Sequence, residues 1–145
     1  MLLYNLGYFG PHILFILILF YLPSGHFFLP GGHLDFIILQ VVSLVINIAL
    51  KETIREPRPQ RSVSVNMWDK MDAKQFGMPS SHAQLMGGML AFTMLHMRNR
   101  LLTATAVLQT GLTMWQRYVC RKHTISQLLV GAAVGGLVCL TLLPV

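Results

Sequence analysis

Residues 77–97 read Gly77-Met78-Pro79-Ser80-Ser81-His82-Ala83-Gln84-Leu85-Met86-Gly87-Gly88-Met89-Leu90-Ala91-Phe92-Thr93-Met94-Leu95-His96-Met97. A polar, turn-forming start gives way within a few residues to an apolar run. Serine at the junction is a favoured helix cap, so a helix is expected to open near Ser81 and to run to about Met97. Its first turn offers backbone N–H groups, which suit an anion, and His82 stands at that mouth.

The same alternation of apolar run and short polar break extends in both directions. Crossing a bilayer takes about 20 apolar residues per helix. Five spans are expected, at about residues 11–29 (dominated by His12 to Leu22), 34–50, 81–97, 101–116 and 124–143. A Leu29-Pro30-Gly31-Gly32-His33 turn separates the first two. Composition agrees: 54% of residues are apolar and 11% charged, against about 25% charged in a soluble domain. The expected fold is therefore all-α, a polytopic transmembrane helix bundle of about five spans forming a single domain over residues 1–145. The N-terminus lacks the basic region of a cleavable signal peptide, so the first run is expected to remain in the protein. Cys120 and Cys139 fall at opposite ends of one helical hairpin and are read as free thiols.

The long break, residues 51–79, is polar and mixed in charge. Loops of that length are functional or disordered. With five spans it shares a membrane face with residues 117–123. Nine of the eleven Lys and Arg then lie on that face: Lys51, Arg55, Arg58, Arg61, Lys70, Lys74, Arg117, Arg121 and Lys122. Counted naively, the positive-inside rule makes that face cytoplasmic. Cations that serve a site cannot vote on topology, however. The formal charge of +6 does not indicate a nucleic-acid binder, because no recognisable binding motif accompanies it.

Three segments converge there. The first is Lys51 to Pro59, in which Lys51 and Arg58 emerge together and Pro57 and Pro59 favour a helix end. The second is Gly77 to His82. The third runs from Arg117 to Gln127, with His123 and Gln127 four apart on one helical face. Taken singly, each also reads as an ordinary basic or capping segment beside a span. Together they supply three cations, two histidines and a helix N-terminus, the inventory of phosphoryl transfer. Two histidines can act as nucleophile and acid near neutral pH.

Lys51-x6-Arg58-Pro59, then Pro79-Ser80-Ser81-His82, then Arg117-x5-His123 resembles the type 2 phosphatidic acid phosphatase superfamily, which also takes in glucose-6-phosphatases and vanadium haloperoxidases. The resemblance covers about residues 34–140. Within the superfamily, Glu56-Pro57-Arg58-Pro59, Phe76 to Gln84 and His123-Thr124-Ile125-Ser126-Gln127 look most like the dolichyl diphosphate phosphatases. The resemblance implies a haloperoxidase-like core. In it, Lys51, Arg58 and Arg117 grip phosphate, and the backbone around Ser80, Ser81 and His82 completes the cradle. His123 is the implied nucleophile that forms a phosphohistidine, and His82 the acid and base. Gln127 orients His123. The implied reaction needs neither a metal nor any other cofactor. Its substrate would be a polyprenyl diphosphate lipid, converted to the monophosphate in recycling the carrier of N-glycosylation. The implied location is the endoplasmic reticulum membrane, active face lumenal.

Three positions depart from the family pattern. Ser81 replaces a glycine, Gln116 a serine and Gln127 an aspartate. The last brings no charge to the imidazole, which puts the rate in question. Glu52, Glu56, Asp69 and Asp72 are the candidates to supply the missing carboxylate. The family core has one span more than the five counted here, and a homo-oligomeric partner is one way to supply it. Two alternatives stay open: a broader phosphatidate-type lipid phosphatase, and a catalytically silent lipid-binding protein. Pro23-Ser24-Gly25-His26 repeats the second motif but falls on the opposite face, and is assigned to a loop. His12, His33 and His96 belong to no motif and are read as interfacial or structural. Gly131 and Gly135 have the spacing of a close helix contact.

Overall fold

The computed structural model describes residues 1–22, 31–72, 76–97 and 99–144. It contains seven helices among those residues: α1 (Leu2–Tyr8), α2 (Gly10–Tyr21), α3 (His33–Ile54), α4 (Met67–Asp72), α5 (Ser81–His96), α6 (Arg100–Val119) and α7 (Ile125–Leu142). The described residues form no strand. The five expected spans correspond to α2, α3, α5, α6 and α7. The end of the first span, with Lys74, Arg98 and the Pro23-Ser24-Gly25-His26 repeat, lies outside the described residues. Two helices were not anticipated. The short α1 precedes α2 and bends from it by 65°, because Pro11 in the first turn of α2 has no N–H to continue a helix. The other, α4, sits within the polar break.

α3 shows which solvent this bundle is built for. Its buried residues include Gln40, Ser43, Asn47 and Lys51, spaced along one face. Its opposite face exposes Val41 at 56%, Val45 at 61% and Ile48 at 54%. A helix in water is arranged the other way round. Polar groups inside and β-branched residues outside suit lipid, where unpaired polar groups are costly. α3 and α7 are each long and apolar enough to cross a membrane alone, and α1 with α2 makes a third candidate. α5 and α6 do not qualify separately, so the expected count of five spans is approximate.

α5 is the central helix and packs against α2, α3, α6 and α7. Its apolar side joins Phe36, Leu39, Met86, Met89, Phe92 and Val138 in one core cluster. Its contact with α7 is close because glycines face backbone. A Cβ on Gly131 would come 2.6 Å from Ser80 O, and one on Gly135 would overlap Gln84 O. Without a hydrophobic driving force between helices in lipid, such close van der Waals contact holds the pair. Both cysteines are free. His33 and His96 anchor helix ends: their Nε2–H groups donate to Leu19 O and Leu143 O, each at 3.2 Å.

Candidate active site

Four backbone features aim side chains at one end of the bundle. α3 ends at Arg55, which takes a left-handed conformation (φ 51°) ahead of Glu56-Pro57. This delivers Lys51 on the last helical turn and Arg58 just beyond it. α5 begins there, with Ser80 as its cap: Ala83 N–H donates to Ser80 Oγ at 3.4 Å. α6 ends there with Arg117 in its last turn. α7 starts there from Thr124, whose capping box is closed by Gln127. The expected shared face is thus the face observed.

His123 lies in the turn between α6 and α7 and is 2% exposed. Its Nδ1 meets two oxygens, Gly77 O at 3.0 Å and Gln127 Oε1 at 3.2 Å. Both are acceptors, so the proton belongs on Nδ1 and the lone pair on Nε2. That Nε2 accepts from Arg58 Nη1 at 3.2 Å. Burial first, then the charges of Arg58, Arg117 and Lys51, push the imidazole pKa down to about 2. It is therefore neutral, with the lone pair of Nε2 turned toward a guanidinium.

Lys51 is buried and donates to Phe76 O at 2.6 Å. Arg117, also buried, donates to Asp69 Oδ1 at 2.7 Å. Its guanidinium lies over the Tyr8 ring at 5.6 Å. The His82 ring packs against the same tyrosine, with centroids 5.2 Å apart. The charges of Arg117 and Arg58 both reach His82. Ser81 Oγ donates to Asn47 Oδ1 at 2.6 Å, so that hydroxyl positions the α5 N-terminus on α3. Ser80 N–H donates to Gln127 O at 3.1 Å, tying the second segment to the third. Gln116 donates to Cys120 Sγ at 3.4 Å and brings no hydroxyl to the site. The three segments, their cations and both histidines are thus brought together. Ser80 and Ser81 contribute the helix N-terminus, while their side chains serve the scaffold.

Asn47 and Ser64 were not singled out from the sequence, nor were the partners of Asp69. Asp69 is buried and faces both Arg117 and Lys122, whose Nζ stands 3.4 Å from its carboxylate. Lys122 also donates to Ser64 Oγ at 2.7 Å. This cluster ties Ser64 and α4 to the end of α6 and the turn that follows it. Asn47 donates to Gln84 Oε1 at 2.7 Å. Of the four candidate acids, Glu52 is exposed, Asp69 serves Arg117, and the Asp72 side chain lies outside the description. Glu56 approaches Gln127: its Oε1 accepts from Gln127 Nε2 at 2.6 Å. A recess of about 770 Å³ opens beside His123, bounded by Pro59, Gln60, Tyr118, Arg121 and Ser126. A smaller apolar recess of about 250 Å³ lies between α2, α3 and α5, at His12, Phe15, Gln40, Leu85 and Met89.

An all-helical membrane bundle with a histidine and three cations gathered at one end defines a class of protein built to handle phosphate at a membrane surface. The chain belongs to the PAP2 superfamily, whose profile matches residues 32–145. Its fold is similar to the crystal structure of the first transmembrane PAP2 type phosphatidylglycerolphosphate phosphatase from Bacillus subtilis. The TM-score is 0.71 at 18% identity, covering 97% of this chain and 73% of that one. No curated protein sequence matches. Family membership places the chain among phosphatases, and the apolar helices make it an integral membrane protein.

Proposed function

We propose that this protein hydrolyses a polyprenyl (dolichyl) diphosphate to the monophosphate and phosphate, with His123 as nucleophile. The reading rests above all on the state of His123: Nδ1 is held as donor by two oxygens, and Nε2 carries its lone pair beside Arg58. Lys51, Arg58 and Arg117 hold the phosphoryl oxygens with the α5 N-terminus. Nε2 bonds to the terminal phosphorus while the P–O bond to the lipid phosphate breaks, and His82, which takes up a proton when the anionic diphosphate binds beside it, gives that proton to the leaving oxygen. Water then attacks the phosphohistidine, His82 takes a proton from it, and the N–P bond breaks to release phosphate. The polyprenyl substrate is supported by the resemblance of residues 56–59, 76–84 and 123–127 to the dolichyl diphosphate phosphatases, two of which segments meet where Gln127 donates to Glu56. By the same resemblance the setting is the endoplasmic reticulum membrane with the site lumenal. The buried Lys51, Arg117 and Lys122 support setting aside the naive charge count.

A phosphatidate-type activity is favoured by Gln40. Its buried amide meets no hydrogen-bond partner among the described residues, and it lines the apolar recess. A glycerolipid ester carbonyl would satisfy that amide; a polyprenyl chain would not. The deciding experiment offers both lipids to the protein in detergent with EDTA, and measures phosphate release with His123→Ala alongside. Preferred release from the diphosphate, abolished in His123→Ala, is the expected result. Preference for phosphatidate would move the substrate, and undiminished release by His123→Ala would remove the mechanism.

A further inference from the structure

Gln127 leaves His123 without the carboxylate that the family pattern provides, yet a carboxylate stands one side chain further on. The amide of Gln127 is oriented by four neighbours. Its Nε2 donates to Glu56 Oε1 at 2.6 Å and to Pro57 O at 3.0 Å. Its Oε1 accepts from Thr124 N–H at 3.2 Å and from His123 Nδ1–H at 3.2 Å. Reversing the amide would set its nitrogen against two donors and its oxygen against two acceptors, so the direction is fixed. A continuous line runs from carboxylate through amide to imidazole.

We propose that Glu56 is a positioning residue for the phosphoryl transfer, its negative charge acting on His123 through the Gln127 amide. The inference rests on the histidine reading above. The chemistry calls for such a charge. When Nε2 bonds to phosphorus, the imidazole becomes cationic in the company of Lys51, Arg58 and Arg117, all of which oppose a further positive charge. A hydrogen bond from an amide N–H to an ionised carboxylate draws electron density toward the amide oxygen, and bonds in series strengthen one another. The Gln127 oxygen is thereby a stronger acceptor for Nδ1–H than an isolated amide. Gly77 leaves room for this arrangement, since a Cβ there would come 2.6 Å from Gln127 Nε2. Glu56 has a scaffolding contact too: Gly77 N–H donates to its backbone oxygen at 2.7 Å. That contact is independent of the side chain.

An isosteric exchange separates charge from packing. Glu56→Gln keeps a hydrogen-bond acceptor opposite Gln127 and removes the charge. Gln127→Glu sets two carboxylates one hydrogen bond apart. The double exchange restores one carboxylate and one amide, now with the charge directly on His123. Each full-length protein is assayed in detergent on whichever of the two lipids the wild type hydrolyses, with thermal unfolding as the folding control. Glu56→Gln is expected to lower kcat about tenfold with KM held within about twofold, and the exchange to return kcat to within about threefold of wild type. An unchanged kcat in Glu56→Gln overturns the proposal. So does a folded exchange protein no faster than the single variants, which would leave Glu56 a scaffolding role. Should either single variant unfold, the exchange protein alone decides. His123→Ala run beside them keeps the readings apart: activity there removes the nucleophile, whereas an inactive His123→Ala with an unaltered Glu56→Gln removes only the relay.

Discussion

At the scale of the residue, the site is governed by how His123 is kept neutral. Its pKa of about 2 lies below the ordinary value of 6.5, so the folded protein binds fewer protons here than the unfolded chain between those limits. Stability from this group is therefore complete above about pH 6.5 and declines as the pH falls toward 2. In the resting protein, nitrogen-15 NMR of labelled histidine should find His123 as the Nδ1–H tautomer, still neutral at pH 5, where an ordinary histidine is mostly protonated. Arg58→Ala should raise its pKa, because Arg58 is the largest of the charges that depress it. An imidazolium signal for His123 at pH 5 in the wild type would refute this account. The histidines and cations could be read from the sequence because their residue types state the chemistry. The links among them could not. Asp69 reaches Arg117 across 48 positions and Glu56 reaches Gln127 across 71, and no local pattern records such a meeting.

At the scale of the element, the α5–α7 contact depends on which glycine faces the neighbour. Gly135 lies against Gln84 backbone, whereas the adjacent Gly136 faces open space. Gly135→Ala should lower stability by about 1–3 kcal/mol through overpacking. Gly136→Ala should leave stability unchanged or raise it by up to about 1 kcal/mol, since alanine is the better helix former. Thermal unfolding in detergent compares them, and equal midpoints would show that the two helices do not cross as described. The five long helices were legible because each apolar run is bounded by caps, prolines or charges. α1 escaped notice because Gly10-Pro11 splits it from its continuation at seven residues, too short for a period to show. α4 escaped because six residues inside a polar stretch carry no apolar stripe of their own.

At the scale of the whole molecule, the arrangement of polar inside and apolar outside sets what the chain tolerates. Val45 and Asn47 are two residues apart on α3, one exposed and one buried. Val45→Lys should weaken insertion by up to about 3 kcal/mol, as for a lysine at a helix centre. Asn47→Leu makes the same helix more apolar and should insert at least as well. It should nonetheless destabilise the bundle by about 1–3 kcal/mol, because it leaves Gln84 and Ser81 without their partner. A glycosylation-site insertion assay and a thermal melt read the two effects separately. Loss of insertion in Asn47→Leu, with Val45→Lys unaffected, would mean that the faces of α3 are reversed.

The family profile begins at residue 32, but the wall of the site begins earlier. Tyr8, from the bent N-terminal stub, is the surface on which both the Arg117 guanidinium and the His82 ring rest. Anyone shortening this protein to its recognisable domain would cut away the ledge that both groups share.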